Sequence, residues 1–260
     1  MIPSFDGYIF DLDGTIYLGE NALPNAVATL CKLQAAGKQV AFLSNNPTHT
    51  RDEYAARLNR MGIAVDVGQI INSTLVMTRW LLREAPGARL FVIGEQPLID
   101  ELREAGFVLT DNASEIEFVV ASFDRTFAYP KLQIAFDAIR AGARLVATNA
   151  DRYCPVPGGG QPDAAAIIAA IEACTNTQIE VVVGKPSPIT VNEIAALLRL
   201  PAERCIMVGD RAETDIAMGR NAGMATALVL TGATTRAQLA ASAIVPDYVL
   251  DDIGPLAEAL

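Results

Sequence analysis

Histidine and paired cysteines are scarce in this sequence of 260 residues. His49 is the only histidine, and the four cysteines include no Cys-x-x-Cys pair. A zinc site is therefore not expected, and reduced thiols are the default for such a chain. A Ser-His-Asp triad would need His49, but no Gly-x-Ser-x-Gly turn supplies the serine. We expect His49 to pack near the surface at the start of a helix.

Basic residues and long apolar runs are also few. The chain has 20 Lys and Arg against 30 Asp and Glu, a formal net charge of -10. This charge argues against a nucleic acid polymer as a partner, whereas a small anion can still bind where a metal and local cations outweigh the global field. No apolar run approaches the length of a membrane span, and residues 1–10 lack the pattern of a signal peptide. We therefore expect a cytoplasmic protein with no membrane partner.

The glycine-rich stretches do not have the pattern of a nucleotide cradle. No Lys-Ser or Lys-Thr follows Gly158-Gly159-Gly160, and Gly184-Lys185 is followed by Pro186. A P-loop is therefore not expected. We predict a flexible turn at residues 158–160.

Apolar strands and amphipathic helices alternate along the whole chain. Tyr8 to Phe10 has no interleaved polar residue, which is typical of a strand buried on both faces of a parallel sheet. Thr50 with Glu53 forms the pattern of a capping box, and it predicts a helix that ends near Gly62. The alternation predicts an α/β protein with doubly wound parallel sheets.

Two acidic residues follow the first predicted strand. Asp11 and Asp13 are two positions apart, so their side chains point the same way if the strand geometry continues. Close carboxylates repel each other unless a cation lies between them or one stays protonated. An ordinary aspartate-rich turn is the alternative interpretation of this stretch.

Three further strand ends carry polar groups. They are Ser44 with Asn45, Lys185, and Asp210 followed by Asp215. Taken singly, each has an ordinary explanation: a turn, a solvated lysine, or a pair of charges at a helix N-terminus. If all these strands belong to one parallel sheet, the groups converge at one edge. Carboxylate, hydroxyl, amide and ammonium groups together suit phosphoryl transfer.

Four motifs stand at these strand ends, and they are Asp11-Leu12-Asp13-Gly14-Thr15, Ser44-Asn45-Asn46-Pro47-Thr48, Gly184-Lys185-Pro186-Ser187-Pro188, and Gly209-Asp210-Arg211-Ala212-Glu213-Thr214-Asp215-Ile216. In this order they resemble the motifs of the haloacid dehalogenase superfamily of phosphatases. The form of the second and third motifs, and the insert of roughly a hundred residues between them, are similar to the branch that contains the NagD-like and p-nitrophenylphosphatase-like enzymes, subfamily IIA. Residues 147–151 of the insert also resemble that branch.

The resemblance implies roles for the acidic residues. Asp11 would attack phosphorus and become an aspartyl-phosphate, while Asp13 would protonate the leaving oxygen and then activate water. Mg²⁺ would be held by the Asp11 carboxylate, the Asp13 backbone carbonyl and Asp210. Asp215 would orient the site rather than bind the metal directly.

The resemblance also implies roles for the other motifs and a division into domains. Ser44 and the Asn45 backbone amide would bind phosphoryl oxygens, and Lys185 would balance their charge. A Rossmann-like catalytic core of residues 1–78 and 179–260 would carry an inserted α/β cap of residues 79–178. Dimerisation through the cap is a further expectation from the family.

The family places contacts to the leaving group after a cap strand. Here that position holds Arg152, Tyr153 and Cys154, a cation, an aromatic ring and a thiol. They are our candidates for substrate specificity, with an ordinary surface loop as an equal alternative. Relatives often have Pro-Gly-small-Gly before the next helix, whereas this chain has Gln161-Pro162-Asp163-Ala164.

The function implied by the resemblance is hydrolysis of small phosphate esters with Mg²⁺. Candidate substrates are a nucleoside monophosphate, a sugar phosphate, phosphoglycolate or pyridoxal phosphate. A phosphoryl transferase or mutase that uses the same aspartyl-phosphate is the alternative. A haloacid dehalogenase would not need Asp13, and a non-catalytic binding module would be expected to have lost Asp11, Asp13 or Lys185.

Overall fold

The computed structural model describes residues 2–156, 158–258 and 260, and its strands alternate with helices. The strands in chain order are β1 (Gly7–Asp11), β2 (Tyr17–Leu18), β3 (Asn21–Ala22), β4 (Gln39–Ser44), β5 (Ile70–Asn72), β6 (Arg89–Ile93), β7 (Val108–Leu109), β8 (Phe118–Ala121), β9 (Arg144–Ala147), β10 (Tyr153–Val156), β11 (Gly159–Pro162), β12 (Val181–Val182), β13 (Cys205–Gly209), β14 (Ala225–Val229) and β15 (Tyr248–Leu250).

The α-helices cover the faces of these strands. In chain order they are α1 (Ala26–Ala35), α2 (Arg51–Arg60), α3 (Ser73–Glu84), α4 (Gln96–Glu104), α5 (Tyr129–Arg140), α6 (Ala164–Thr175), α7 (Pro188–Leu198), α8 (Ala217–Asn221) and α9 (Arg236–Ala240). The predicted capping box of α2 is confirmed, since Thr50 and Glu53 each accept from the other's backbone N–H. None of the helices in the described ranges is long and apolar enough to cross a membrane.

The larger sheet has six parallel strands in the order β15-β14-β13-β1-β4-β5. β1 lies near its centre, between β13 and β4. Tyr8 and Phe10 pack into one apolar cluster, and Ile9 packs into another. Both faces of β1 are therefore buried, as its sequence predicts. The carboxyl ends of β1, β4 and β13 lie side by side at one edge.

The smaller sheet has the parallel order β12-β9-β8-β6-β7. The strand that precedes Lys185 belongs to this sheet, because Val181 and Val182 pair with β9. The prediction that all four polar strand ends share one sheet is therefore wrong for Lys185. The lysine reaches the common site along the chain that crosses from the smaller sheet to α7.

One apolar cluster joins the two sheets. It includes Ile9 and Met207 of the larger sheet together with Leu90, Val120 and Val146 of the smaller one. This shared packing holds the smaller sheet over the carboxyl edge of the larger one. The domain boundaries after residues 78 and 178 stay a prediction.

The stretch after β9 forms a hairpin rather than only the flexible turn that was predicted. β10 pairs antiparallel with β11, and Val156 faces Gly159 in the register. Sequence patterns give little sign of this hairpin, because prolines and glycines are poor strand formers.

Candidate active site

The end of β1 places Asp11 beside a buried ammonium group. Lys185 Nζ donates to Asp11 Oδ1 at 2.5 Å and to Asp215 Oδ1 at 2.7 Å. Asp11 is 7% exposed and Lys185 only 4%. Burial lowers the pKa of Lys185, but the two carboxylates outweigh it, so its pKa is raised and the side chain stays charged. Three groups distant in sequence therefore form one buried ionic cluster.

The side chain of Asn45 fixes the loop that carries Lys185. Asn45 Oδ1 accepts from the Lys185 backbone N–H at 2.8 Å, and Asn45 Nδ2 donates to the Lys185 carbonyl at 3.2 Å. A Cβ at Gly184 would lie 2.7 Å from Asn45 Oδ1 and 2.5 Å from the Thr148 carbonyl oxygen. Glycine is therefore required at this approach. Asn45, in the motif of residues 44–48, therefore positions Lys185, in the motif of residues 184–188. The sequence pattern did not indicate this function of Asn45.

Three buried carboxylates form an acidic cluster. One ligand oxygen from each of Asp11, Asp210 and Asp215 lies within 4.8 Å of the others. Burial raises the pKa of Asp11 well above its usual range and that of Asp210 to about 7. Negative charge is therefore costly here unless a cation shares the site. An all-oxygen donor set of this kind suits a hard divalent cation such as Mg²⁺.

The members of the acidic cluster differ in their hydrogen bonds. Both oxygens of Asp215 are occupied, Oδ1 by Lys185 and Oδ2 by the Arg211 backbone N–H at 3.0 Å. Asp210 Oδ2 accepts from the Ala233 backbone N–H at 2.5 Å. A Cβ at Gly232 would lie only 2.0 Å from that oxygen. Asp215 is thus tied to the lysine, and Asp210 is held at the cavity wall.

Asp13 and Ser44 line the same cavity as Asp11. Burial raises the pKa of Asp13 to about 6, and the nearby Arg57 opposes this shift. The Ser44 hydroxyl accepts from the Asn46 backbone N–H at 3.1 Å and lies 3.3 Å from the Tyr54 hydroxyl. A carboxyl with a raised pKa and a fixed hydroxyl therefore share the cavity with Asp11.

The candidate specificity residues separate in the structure. Tyr153 and Cys154 line the cavity, while Arg152 is exposed and lies outside the lining of this cavity. Arg211 Nη2 donates to the Tyr153 carbonyl at 2.8 Å, and the Arg211 guanidinium lies 4.9 Å from the Tyr153 ring centroid. Asn46 Nδ2 donates to Cys154 Sγ at 3.6 Å. These contacts hold the β10–β11 hairpin over the ionic cluster.

Three charged residues without a predicted role also line the cavity: Asp151, Asp163 and Arg211. Asp163 is 2% exposed, and burial raises its pKa to about 6. Its position before α6 is a typical N-cap signal, but nothing in the sequence indicates that the residue faces a site. Asp151 lies in a stretch that carried the family resemblance, yet only the fold brings its carboxylate to Asn45 Nδ2 at 3.2 Å.

The raised pKa of Asp163 makes the stability of the protein depend on pH. The folded protein binds a proton at this carboxyl more tightly than the unfolded chain, whose aspartate pKa is about 3.9. The contribution of Asp163 is therefore fully present below pH of about 4 and is lost as the pH rises through about 6. Relative to Asp163→Asn, the wild type should lose on the order of 2 kcal/mol of unfolding free energy across this window.

Urea unfolding of both proteins at a series of pH values measures this difference. Asp111→Asn is the control, because Asp111 is exposed in the loop after β7 and its substitution makes the same change of charge. A difference between wild type and Asp163→Asn that stays constant from pH 4 to 7 would contradict the prediction.

Two adjoining cavities meet at Asp13. The cavity lined by Asp11 has a volume of about 40 Å³, room for a few water molecules. The neighbouring cavity has a volume of about 160 Å³ and shares Asp13, Asn46, Cys154 and Pro155 with it. Together they offer one small polar compartment at Asp11 and a larger one beyond Asp13.

The chain matches known hydrolases over nearly its whole length. Residues 8–108 match the family model of the haloacid dehalogenase-like hydrolases, and residues 182–256 match a second, HAD-hydrolase-like family model. The chain is 38% identical to sugar-phosphatase AraL of Bacillus subtilis over 247 residues, which cover 95% of this chain and 90% of AraL.

Solved structures show the same relationship. A p-nitrophenyl phosphatase from Archaeoglobus fulgidus superposes with a TM-score of 0.93 and 37% identity, covering 99% of this chain and 100% of that one. NagD from E. coli K-12 superposes with a TM-score of 0.86 and 29% identity, and the match covers 96% of this chain and 98% of NagD. The predicted fold class and family are thereby confirmed. This chain is a phosphatase that belongs to the haloacid dehalogenase-like hydrolases, in their NagD-like and p-nitrophenylphosphatase-like branch.

Proposed function

We propose that this protein is a Mg²⁺-dependent phosphatase that hydrolyses small phosphorylated metabolites through an aspartyl-phosphate on Asp11. The observation that carries the proposal is the buried cluster in which Lys185 Nζ contacts both Asp11 and Asp215 beside Asp210. A charged lysine and clustered carboxylates around one strand end suit a phosphoryl group and a cation better than they suit a stable core.

In the first step, a carboxylate oxygen of Asp11 attacks phosphorus. The new bond joins Asp11 to phosphorus as the ester bond breaks, and Asp13 gives its proton to the leaving oxygen. In the second step, Asp13 takes a proton from water, and the water oxygen attacks phosphorus. Inorganic phosphate leaves and Asp11 is regenerated. Acid and base assistance of this kind is worth roughly a hundredfold to ten-thousandfold in rate.

The phosphoryl oxygens require fixed donors during both steps. We assign this role to the Ser44 hydroxyl, the Asn45 backbone amide and the Lys185 ammonium group. Asp215 and the Asn45 side chain hold Lys185 in place through the hydrogen bonds described above. Donors that are already oriented stabilise developing charge without reorganisation at the moment of reaction.

The residues present fit Mg²⁺. The Asp11 and Asp210 carboxylates and the Asp13 backbone carbonyl would hold it, and Asp215 would orient the site. When bound, the cation offsets the charge of the clustered carboxylates and of the phosphoryl oxygens.

Nucleoside monophosphates, sugar phosphates, phosphoglycolate and pyridoxal phosphate are the proposed substrate classes. The similarity to a sugar-phosphatase supports the second of these. A cap of residues 79–178 would close over the core, and Tyr153 and Cys154 would contact the leaving group.

A hydrolysis screen over these classes, with Mg²⁺ and with Asp11→Asn as the control, tests the proposal. Release of inorganic phosphate from at least one class, and none with the variant, is the expected result. Transfer of the phosphoryl group to an added alcohol without release of phosphate would identify a transferase instead.

Removal of divalent metal should stop turnover. With excess EDTA we expect phosphate release to fall by at least about a hundredfold, since the clustered carboxylates then repel the substrate and each other. Added Mg²⁺ should restore the rate, whereas Ca²⁺ should not, because it prefers more ligands and longer bonds. Phosphate release at the full rate in chelator would rule out the metal role.

A further inference from the structure

Asp163 places a buried carboxylate oxygen in the wall of the catalytic cavity. Its Oδ1 accepts from the Ala164 backbone N–H at 2.5 Å and from Asn149 Nδ2 at 3.0 Å, which completes the start of α6. Within residues 2–156, 158–258 and 260, no side chain or backbone N–H donates a hydrogen bond to Oδ2. One oxygen therefore serves the helix, and the other is left for a ligand.

A buried chain of hydrogen bonds fixes the orientation of Asp163. The Thr148 hydroxyl donates to Asn149 Oδ1 at 2.8 Å, and the Ser122 and Thr148 hydroxyls lie 2.7 Å apart. Ser122, Thr148 and Asn149 are all 0% exposed. A carboxylate held this way does not need to reorganise when a ligand arrives, and such preorganisation favours specific recognition.

The cavity wall combines hydrogen-bond donors with several carboxylates. Ser44, at the end of β4, and Lys185, on the crossover from the smaller sheet to α7, are donors in this wall, while Asp151 and Asp163 add acceptors from the smaller sheet's side. Asn45 Nδ2 already donates to both oxygens of Asp151, at 3.2 and 3.3 Å. At Asp11 the Lys185 ammonium group and the proposed cation offset the repulsion between carboxylates and phosphoryl oxygens, whereas no such cation among the described residues is bonded to Asp163, so the phosphoryl group lies at Asp11. The group that meets Asp163 must be a donor on the leaving group.

We propose that Asp163 determines specificity by accepting a hydrogen bond from a hydroxyl of the leaving group through Oδ2. The substrate is then the phosphate ester of a sugar or polyol. This inference rests on the proposed function, because it requires the phosphoryl group at Asp11. The adjoining cavity of about 160 Å³, with Asn46, Arg57 and Gln161 in its wall, receives the rest of a small polyhydroxylated leaving group.

The test compares Asp163→Asn with the wild type near neutral pH. Asparagine keeps the Oδ1 acceptor that starts α6 and replaces the Oδ2 acceptor by an NH₂ donor. We expect kcat/KM to fall about tenfold to a hundredfold for glycerol phosphate and ribose 5-phosphate, the range for a hydrogen bond to a charged group. Hydrolysis of p-nitrophenyl phosphate, which has no hydroxyl on its leaving group, should fall much less than hydrolysis of these two esters. Asp111→Asn should change neither.

A comparison of substrates tests the same hydrogen bond in the wild-type enzyme. We expect kcat/KM for n-propyl phosphate to lie at least about tenfold below that for glycerol phosphate, because a site built to bind a hydroxyl rejects the analogue that lacks it. Equal values for these two esters would overturn the proposal.

Three other outcomes would each overturn a different claim. An equal loss on all substrates for Asp163→Asn would leave Asp163 with a structural role only and overturn the proposal. A preference of the wild type for phosphoethanolamine over glycerol phosphate would overturn the hydroxyl assignment in favour of an ammonium group. A wild type that hydrolyses none of these esters, p-nitrophenyl phosphate included, would overturn the proposed function itself.

Discussion

Asp11→Asn should abolish phosphate release while leaving the protein folded. The amide cannot act as the nucleophile, so we expect kcat to fall on the order of 10⁴-fold or more. The fold should survive because Lys185 keeps its contact with Asp215 at 2.7 Å. Burial already raises the pKa of Asp11, so loss of this charge should leave the melting temperature of the metal-free protein equal or higher.

Steady-state phosphate release and thermal unfolding together check this expectation. Asp111→Asn is the matched control for the change from carboxylate to amide at an exposed site. Turnover by Asp11→Asn at the wild-type rate would show that another group attacks phosphorus. A large fall in its melting temperature would show that Asp11 is needed for the fold.

Lys185→Met should damage both stability and activity. It leaves Asp11 and Asp215 buried without their shared cation, and breaking a buried ion pair in this way costs about 3–5 kcal/mol. The free energy of unfolding in metal-free buffer should fall by that amount. Loss of a donor to the phosphoryl oxygens should lower kcat by about 10²–10³-fold.

A second substitution separates these two effects. Lys185→Met combined with Asp215→Asn removes one of the two unpaired carboxylates, so part of the stability should return, while kcat should stay low. Urea unfolding and phosphate release are measured for both the single and the double variant. Lys32→Met, on the exposed face of α1, is the matched control. An unfolding free energy of Lys185→Met equal to that of the wild type would contradict the electrostatic account of the cluster.

Local patterns predicted most of the elements because each pattern reports a local physical preference. The apolar run before Asp11 predicted the buried central strand, and Thr50 with Glu53 predicted the start of α2, which the structure confirms. The hairpin of β10 and β11 could not be predicted the same way. Its prolines and glycines have little strand propensity, and the strands are stabilised by pairing with each other and by contacts such as Arg211 to Tyr153.

The candidate site was only partly predictable from the sequence. Strand ends with polar residues pointed to Asp11, Ser44 and Asp210, because parallel strands bring their carboxyl ends to one edge. Lys185 was expected at the same edge for the wrong reason, since its strand belongs to the smaller sheet. The part played by the Asn45 side chain had no local signal, because a side chain that bonds a loop distant in sequence leaves no periodic pattern.

By itself the sequence determined the α/β class, the family and the acidic strand end, since these depend on periodicity and on motifs that are each a short continuous stretch of the chain. Only the tertiary structure decided how Lys185 reaches Asp11, how Asp215 bonds Lys185, and how Asp163 comes to line the cavity. These features are distances between groups far apart in the chain. They are set by the packing of two sheets and by buried charges that need partners.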